Sequence, residues 1–298
     1  MSFDRNVVKD GLPEIPFTEE FSFSKNTTIG IGGTASIALF PRSAAELSKT
    51  VCFLADKKAP FCILGRGANV LASDNGFQGV VVCTRSVKDI KFSQNFVCCG
   101  CGINIGELIV RARAESLGGI EFMAGIPATV GGAVFMNAGA QRQYIASVIE
   151  TVDVLEEGKI IRLNASECNF SYKHSRFMEK DSIILGACLR LIHMDPIMID
   201  ARLERIREIR SSLPKGRSMG CVFKNPSDIS AGALIEQAGL KGVSCGGAFI
   251  SDVHANFIIN RGNATANDVL RLIALSKETV YKRTGILLRE EIRYIGDF

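Results

Sequence analysis

Residues 124–139 read AGIPATVGGAVFMNAG, a run built from glycine, alanine, one proline and neutral side chains. A segment with so few large side chains allows a bulky ligand to lie against its backbone. We therefore predict that its amide N–H groups donate to a ligand rather than to a regular ladder. A second stretch of this character, LGRGANVL at 64–71, follows a short apolar run. Two such loops in one chain predict a large, phosphate-bearing cofactor.

The second loop is typical of a turn whose backbone approaches a pyrophosphate, because Gly65–Asn69 comes directly after a predicted strand at 61–64. A dinucleotide-binding fingerprint requires GxGxxG, and the third glycine is missing here. The loop by itself leaves a plain tight turn open as an alternative. Its combination with 124–139 is what favours a cofactor site.

Length and composition indicate a globular protein with two or three domains, since the chain has 298 residues, 47% hydrophobic and 22% charged. The net charge of +4 is small and its basic residues are dispersed, which argues against a nucleic-acid partner. The first ten residues contain no apolar segment of the signal-peptide type, and no run approaches a membrane span. We therefore expect a cytoplasmic protein without a membrane partner.

The ten cysteines are interpreted from their spacing. Cys98, Cys99 and Cys101 lie in one short segment, but the chain offers no second half-site to complete a metal centre. The other cysteines are scattered through apolar runs such as 61–64 and 183–191. We predict reduced cysteines that pack as small hydrophobic side chains, with no disulfide framework and no metal.

The first part of the chain alternates predicted helices and strands, which is typical of an α/β arrangement. Ser43 and Asn104 each have the capping pattern that opens a helix. Buried strands are predicted at 61–64 and 80–83, both between the first helix and the second. The sequence therefore predicts α/β organisation up to Gly139.

After Gly139 the pattern changes to an antiparallel one. A hairpin is predicted over 148–163, followed by a long strand at 182–194 and a break at Asp195–Pro196. Beyond the break the sequence predicts an amphipathic helix at 267–283 and a last strand at 287–295. We place the domain boundary near Asp195 and expect a compact α+β unit after it.

The two glycine-rich loops, GRGAN and AGIPATVGGAVFMNAGA, resemble the flavin-binding half of the UDP-N-acetylenolpyruvoylglucosamine reductases (MurB). Further segments continue the resemblance in order along most of the chain: NTTIGIGGTA at 26–35, FSYKHSRF at 170–177, GCVFKNP at 220–226, LIEQAGLKG at 234–242, HANFIIN at 254–260 and GILLREEIRYIG at 285–296. Several motifs in the expected order are far more specific than any one of them. The short 177–185 connection resembles the shorter, type II form of the family.

The resemblance implies an α+β fold, with a two-part FAD-binding domain of the vanillyl-alcohol oxidase (PCMH) type followed by a smaller substrate-binding domain. It places the first domain at 1–195, split near residue 80, and the second at 196–298. FAD and NADPH are the implied cofactors. The residues implied to bind FAD are Gly65, Arg66, Gly67, Ala68, Asn69, Val70, Gly125, Ile126, Pro127, Thr129, Gly131, Gly132, Asn137, Ala138 and Gly139.

The implied reaction is NADPH-dependent, FAD-mediated reduction of UDP-N-acetylglucosamine enolpyruvate to UDP-N-acetylmuramate, a step of peptidoglycan precursor synthesis. It requires groups that polarise the substrate carboxylate and a proton donor for the neighbouring carbon. Cys221 stands where the family usually carries a serine proton donor. An ordinary thiol has a pKa of about 8.5 and holds its proton at neutrality, so it is able to donate. A cysteine that only packs in an apolar strand is the alternative.

Glu291 matches the catalytic glutamate of the family, and we expect the neighbouring Glu290 to be a solvated edge charge. Lys173 stands where the family has a catalytic arginine, which keeps the charge but loses the bidentate fork. Arg176 is the possible substitute, although strand alternation would place it on the other face from Lys173. The residues implied to bind the nucleotide-sugar substrate are Tyr172, Lys224 and Asn225.

Two other functions stay open at this stage. Another FAD-dependent oxidase or dehydrogenase of the same fold is one, although 298 residues leave little room for its usual cap domain. A non-catalytic flavin-binding module is the other, but binding alone would not require an acid in GCVFKNP beside the charges of REEIR. We expect a monomer whose partner is the nucleotide-sugar substrate.

Overall fold

The computed structural model describes residues 4–226 and 229–298, and these form two compact units. The first unit comprises residues 4–18, 37–66 and 80–211. The second comprises 19–36, 67–79 and the described residues from 212 to 298. The last division therefore lies between Ser211 and Ser212, whereas the sequence predicted a domain boundary near Asp195. The assignment of FAD binding to 1–195 and substrate binding to 196–298 stays a prediction.

Helices and strands are mixed along the described chain. The helices are α1 Arg5–Gly11, α2 Phe23–Asn26, α3 Ala44–Asp56, α4 Ile105–Ala114, α5 Val130–Phe135, α6 Pro196–Ser211, α7 Ala231–Gln237 and α8 Ala266–Thr284. The strands are β1 Phe17–Ser22, β2 Thr34–Leu39, β3 Phe61–Leu64, β4 Val70–Ala72, β5 Phe77–Cys83, β6 Ile90–Ser93, β7 Phe96–Gly100, β8 Leu117–Gly118, β9 Gly139–Ala140, β10 Gln143–Tyr144, β11 Ile149–Glu156, β12 Lys159–Asn164, β13 Ile183–Arg190, β14 Ile192–His193, β15 Arg217–Cys221, β16 Ser244–Cys245, β17 Ala248–Ile250, β18 Phe257–Asn260 and β19 Arg293–Ile295.

The strands pair into three larger sheets and three two-stranded ones. The larger sheets have the strand orders β1-β2-β5-β3, β12-β11-β13-β7-β6 and β15-β18-β17-β16. In the first of these β3 runs parallel to β5, from Phe61 opposite Val80 to Leu64 opposite Cys83. The two-stranded pairs are β10-β9, β14-β8 and the parallel pair β19-β4. The antiparallel portion predicted after Gly139 is present as β11, β12 and β13.

Each unit has its own hydrophobic core. In the first, α3 and α4 bury the apolar faces that the sequence predicts, through Leu47 and Leu54 on α3 and Leu108 on α4. Ser43 and Asn104 cap these helices, because the Ser43 hydroxyl accepts from Glu46 N–H at 3.1 Å and Asn104 Oδ1 accepts from Gly106 N–H at 2.8 Å. Local capping and a period of 3.6 residues were therefore sufficient to predict both helices.

The second unit is built around α8, which the sequence predicted within one residue at each end. Thr265 and Asp268 form a capping box at its start, and Gly285 ends it in the left-handed conformation with φ 71°. Its buried face, with Val269, Leu272 and Ile273, packs in the core of this unit. These strong local signals explain why the prediction was accurate here.

The last predicted strand, 287–295, is shorter in the structure. Only Arg293–Ile295 forms a strand, and its partner is β4, more than two hundred residues earlier in the chain. Residues 289–291 instead make single backbone contacts with the segment after Cys221, since Lys224 N–H donates to Arg289 C=O and Glu291 N–H donates to Val222 C=O, both at 2.8 Å. Apolar periodicity could not reveal partners so distant in sequence.

Two cysteines differ from the prediction of a fully reduced set. Cys98 on β7 and Cys188 on β13 lie directly opposite each other in the antiparallel ladder, and they form a disulfide. The register of two strands separated by 90 positions brings them together, so their spacing in the sequence gave no signal. The remaining cysteines carry thiols: Cys52, Cys62, Cys83, Cys99, Cys101, Cys168, Cys221 and Cys245.

The disulfide predicts the result of a thiol titration. Protein denatured without reductant should expose the eight thiols of these remaining cysteines, and reduction should raise the number to the ten in the sequence. Digestion without reductant should also yield a peptide pair linked through Cys98 and Cys188. Ten thiols before reduction, with alkylation of Cys98 and Cys188, would contradict the pairing.

Burial raises the pKa of several of the free thiols. It raises the pKa of Cys62, Cys99 and Cys101 to about 12, so these groups stay protonated and apolar at neutral pH. This matches their predicted packing role. Among residues 4–226 and 229–298, no group of three or more His, Cys, Asp or Glu could hold a metal ion. Within the same residues, no helix is long and apolar enough to cross a membrane.

Candidate active site

The first half of the glycine-rich loop, Gly65 and Arg66, lies in the first unit at the end of β3. Arg85 Nε donates to Gly65 C=O at 2.8 Å and fixes the start of the loop. A Cβ atom at Gly65 would lie 2.6 Å from Thr129 Oγ1, so the two glycine-rich segments touch here with no space for a side chain. The structure therefore brings together Gly65 and Thr129, which were predicted separately.

The second half of the loop, from Gly67 to Val70, lies in the second unit and leads into β4. Gly67 has φ +62°, and its C=O accepts from Thr28 N–H at 3.1 Å. A Cβ atom at Gly67 would lie 2.9 Å from Asn26 C=O, which is backbone and has little freedom to move. Glycine is required at this position on both grounds. Ala68 and Asn69 follow it, half-buried, before the strand.

Part of the 124–139 stretch is helical, which corrects one expectation. Thr129 caps α5, its hydroxyl accepting from Gly132 N–H at 3.3 Å. Val130 N–H donates to Ile103 C=O and Gly131 N–H donates to Cys101 C=O, both at 2.8 Å. Both amides are thus used inside the fold, and the prediction that this stretch offers its N–H groups to a ligand is wrong for them.

Two side chains hold the ends of the 124–139 stretch. One of them, Arg210, was not predicted from the sequence, and the other, Asn137, was predicted to bind FAD. Arg210, at the end of α6, donates from Nη2 to Gly125 C=O at 2.9 Å. Buried Asn137 donates to Ser171 C=O at 2.8 Å and accepts from Ala146 N–H at 3.2 Å, so both ends of its amide hold the loop. Nothing local in the sequence marked Arg85 or Arg210, because each acts on a carbonyl distant along the chain.

The residues present fit a flavin dinucleotide. Gly65 packs against Thr129 and Gly67 against the backbone of 26–27, and neither contact leaves room for a Cβ atom. Loops built from glycine and other small residues allow a pyrophosphate to approach their backbone closely. The other predicted FAD residues lie on the same two segments: Ile126, Pro127, Gly131, Gly132, Ala138 and Gly139 on the second, and Arg66, Ala68, Asn69 and Val70 on the first.

Replacement of Gly67 by Ala tests this cradle. The Cβ would meet Asn26 C=O at 2.9 Å and Thr27 Cα at 3.0 Å, in addition to the cost of about 1–2 kcal/mol for a non-glycine residue in the left-handed conformation. We expect purified Gly67→Ala protein to retain little flavin, measured from the visible absorbance per protein and from titration with FAD.

Gly158→Ala is the matched control. Gly158 has φ +75° with no atom within 4 Å of an added Cβ, so it carries the conformational cost without the clash. It lies in the turn between β11 and β12, and the variant should keep a full complement of flavin. Equal flavin content in the two variants would exclude the steric role assigned to Gly67.

Cys221 and Glu291 belong to two segments of the second unit that are joined by backbone hydrogen bonds. Cys221 ends β15 and is half-buried, and Glu291 is 9% exposed. The residue after Cys221 is bonded on both sides, since Val222 N–H donates to Asn256 C=O and Val222 C=O accepts from Glu291 N–H, each at 2.8 Å. Asn69 Nδ2 donates to Glu291 C=O at 3.0 Å. The structure therefore bonds Glu291 both to the residue that follows Cys221 and to Asn69 of the flavin loop.

Asn256 and His254, in the segment just before β18, support this arrangement. Asn256 Oδ1 accepts from Phe223 N–H at 2.9 Å, and its Nδ2 donates to Phe223 C=O at 2.8 Å. His254 Nδ1 accepts from Asn256 N–H at 3.2 Å, which places the ring proton of the neutral form on Nε2. Burial lowers the pKa of His254, so the ring is neutral near pH 7. Its role is structural, as its exclusion from the predicted catalytic set implies.

Glu290 is not the solvated edge charge that the sequence predicted. Its Oε1 accepts from Lys277 Nζ at 2.9 Å, and its Oε2 accepts from the Tyr294 hydroxyl at 2.6 Å. Burial and this carboxylate raise the pKa of Tyr294. Glu290 therefore ties the segment before β19 to α8, while the adjacent Glu291 is bonded to the segment that follows Cys221.

The residues predicted to bind the substrate have different surroundings. Lys224 N–H donates to Arg289 C=O at 2.8 Å, beside the Cys221 segment. Asn225 Oδ1 accepts from Ala231 N–H at 3.0 Å and orders the entry to α7. Tyr172 belongs to the first unit, is 41% exposed and packs edge-on against Tyr144 with 6.1 Å between ring centroids.

Lys173 and Arg176 lie in the first unit, and this segment is a turn rather than the predicted strand. Lys173 has φ +53° within the turn closed by Ser171 and His174. The Arg176 guanidinium forms an ion pair with Glu156 at 3.0 Å, with 14% of the Arg176 side chain exposed. Ser182 Oγ also donates to Glu156. Arg176 therefore has a structural partner, and the argument from strand alternation does not apply.

Comparison with known proteins then identifies the family. A family model described as "UDP-N-acetylenolpyruvoylglucosamine reductase, C-terminal domain" matches residues 212–295, and an "FAD binding domain" model matches 35–164. Two curated relatives named UDP-N-acetylenolpyruvoylglucosamine reductase are similar over nearly all of the chain. That of Caldicellulosiruptor bescii is 38% identical, covering 100% of this chain and 96% of its own length. That of Protochlamydia amoebophila is 42% identical, covering 90% of each.

The chain belongs to the UDP-N-acetylenolpyruvoylglucosamine reductase family. A solved structure, the MurB of Thermus caldophilus, has a TM-score of 0.80 and 32% identity, covering 94% of this chain and 98% of that one. The predicted α+β fold, with an FAD-binding domain before a smaller C-terminal domain, is confirmed. Also confirmed is the prediction of an FAD-dependent, NADP-linked MurB oxidoreductase of peptidoglycan synthesis.

Proposed function

We propose that this chain reduces UDP-N-acetylglucosamine enolpyruvate to UDP-N-acetylmuramate, with Cys221 as proton donor and Glu291 as the second acid–base group. The carrying observation is the backbone hydrogen bond from Glu291 N–H to Val222 C=O at 2.8 Å. This bond links the segment that carries the carboxyl group to the residue that follows the thiol, which supports the proposal. Reduction beside a carboxylate requires a proton donor and groups that stabilise the developing charge.

The two glycine-rich loops would hold FAD, which when bound would supply the transfer of a hydride from NADPH to the terminal carbon of the substrate double bond. The protein residues control the proton. Reduction at the terminal carbon leaves carbanion character on the carbon beside the carboxylate, and the Cys221 thiol gives its proton to that carbon. Cys221 is half-buried at the end of β15, a position from which it is able to reach a ligand while still packing in the fold.

The second requirement is a set of side chains that bind the charged groups of the substrate. We assign the enolpyruvyl carboxylate to Lys173, which keeps the positive charge of the family arginine. Arg176 is the substitute only if it leaves Glu156, with which it forms an ion pair. Lys224, Asn225 and Tyr172 are assigned to the nucleotide sugar, with lysine opposite its diphosphate.

The decisive experiment is anaerobic stopped flow in two stages. NADPH is mixed first and should bleach the flavin absorbance, and UDP-N-acetylglucosamine enolpyruvate is mixed second and should restore it. Unrelated electron acceptors should not restore the absorbance at a comparable rate. Purified protein without yellow flavin, or flavin that this compound does not reoxidise, would overturn the proposal.

The proposal extends to a monomeric, cytoplasmic enzyme that interacts with neither nucleic acid nor membranes. The net charge of +4 and its dispersed basic residues support this. Light scattering over a range of protein concentrations tests the monomer, and a mass that rises to that of a dimer would contradict it.

A further inference from the structure

Asn69 is bonded to the segment that carries Glu291 at two points. Its side-chain Nδ2 donates to Glu291 C=O at 3.0 Å, across 222 positions of sequence. Its own C=O accepts from Arg293 N–H at 2.9 Å. Both contacts lie within the second unit, and Asn69 is half-buried there. The residue is thus more than a lining element of the flavin loop.

The backbone around Glu291 lies outside a continuous ladder. β19 begins only at Arg293, which pairs with Val70 in the parallel ladder with β4. Glu291 itself precedes this strand, so its peptide groups are fixed by single bonds, with N–H to Val222 and C=O to Asn69. The Asn69 bond is a side-chain bond and is therefore the one that substitution can remove while leaving the backbone pairing in place.

We infer that Asn69 is a positioning residue for Glu291, connecting the flavin loop to the proposed catalytic carboxyl group. This inference rests on the proposed role of Glu291. Asn69 follows the turn at Gly67 in the predicted flavin loop. Its side-chain amide is bonded to Glu291 C=O, so a change in the conformation of the loop also moves the Glu291 backbone. Ordering the loop therefore also orders the carboxyl group.

Removal of the bond should slow the proton-transfer half of the reaction. Without its donor, the Glu291 carbonyl is free to rotate towards water, and the carboxyl group follows. Loss of about one hydrogen bond, or a displacement of about 1 Å, corresponds to about a tenfold to hundredfold decrease in rate. Flavin affinity should change much less, because the loop keeps its glycines and its backbone pairing.

The test compares Asn69→Ala with Asn95→Ala. Asn95 is also half-buried and also donates from Nδ2 to a distant backbone carbonyl, that of Leu191 at 3.1 Å, but in the first unit. Rates are measured per bound flavin in the two half-reactions, together with the dissociation constant for FAD from flavin fluorescence. Only Asn69→Ala should slow reoxidation by substrate per bound flavin, with the NADPH half-reaction per bound flavin near that of the unsubstituted protein. Its FAD dissociation constant is measured separately, because Asn69 is also a predicted FAD residue.

Asn69→Asp is the second variant, in case Asn69→Ala does not fold. It keeps the size of the side chain but replaces the donating NH2 with an acceptor, so it should show the same selective slowing. Reoxidation at the unsubstituted rate in either variant would overturn the inference. So would a loss of flavin affinity with unchanged reoxidation per bound flavin, since that result assigns Asn69 to the cofactor alone.

A double-mutant cycle separates this inference from the proposed function. If Asn69 acts through Glu291, Asn69→Ala should add little further slowing to Glu291→Gln. Equal slowing in both backgrounds overturns the positioning role and leaves Glu291 catalytic. A Glu291→Gln variant that is not slowed overturns the catalytic role of Glu291, and the inference with it.

Discussion

Cys221→Ala is expected to reduce flavin reoxidation by the enolpyruvyl substrate by about a hundredfold to ten-thousandfold, the usual contribution of a positioned acid. Flavin reduction by NADPH should keep its rate, because that half-reaction requires no proton from this residue. Anaerobic stopped flow resolves the two half-reactions in one experiment. The substituted position is half-buried, so loss of the thiol should leave the fold intact.

Two control variants separate loss of the proton donor from a general effect of removing a thiol. Cys221→Ser restores an O–H donor of the kind the family carries there, and it should recover most of the substrate half-reaction. Cys245→Ala removes another half-buried thiol from the same unit, at β16, and should leave both half-reactions unchanged. Near-normal turnover in Cys221→Ala, or equal losses in the Cys221 and Cys245 variants, would remove Cys221 from the mechanism.

The two halves of the candidate site differ in how far the sequence could reveal them. The run of small residues around Gly65 and Gly67 was visible directly, although the atoms that exclude a side chain there belong to Thr129 and to 26–27. The Cys221 and Glu291 segments, about seventy residues apart, are joined by two backbone bonds. Only the resemblance to a known family placed both residues in one site, because neither local propensity nor periodicity encodes such a contact.

The same distinction explains the errors in the fold. α8 carries its own start and stop signals, Thr265 and Gly285, and its bounds were predicted closely. The 287–292 segment has the apolar alternation of a strand, but its neighbours are single residues around Val222 rather than a continuous ladder. The disulfide between Cys98 and Cys188 likewise follows from strand register. Each error therefore concerns a partner distant in sequence.

The 170–177 segment shows why residue roles are harder to predict than residue positions. The resemblance placed Lys173 and Arg176 near a carboxylate-binding function. In the structure Arg176 already binds Glu156, and Lys173 occupies a left-handed turn. Sequence alone could not reveal the Glu156 partner, which is on β11. Binding of the substrate carboxylate by Arg176 would therefore require it to leave Glu156.

Glu291→Gln is the second substitution expected to have a large effect. Glutamine has the same shape and keeps the backbone bonds to Val222 and Asn69, but it has no carboxyl proton to exchange. We expect reoxidation of the flavin by substrate to slow by about a hundredfold to ten-thousandfold. The fold should persist, because the substitution is isosteric and the Glu291 peptide groups are untouched. Half-reaction rates and a thermal melt measure the two effects separately.

Glu290→Gln is the matched control, because it is the adjacent carboxyl group with a known structural role. Its bonds to Lys277 and Tyr294 tie α8 to the segment before β19, so this variant should lose some stability, within about 1 kcal/mol, and keep its turnover. The pH profile of substrate reduction should change only in Glu291→Gln. If instead the Glu290 variant loses turnover and the Glu291 variant keeps it, the acid–base group of this site is the other carboxyl, and the backbone bond to Val222 serves packing alone.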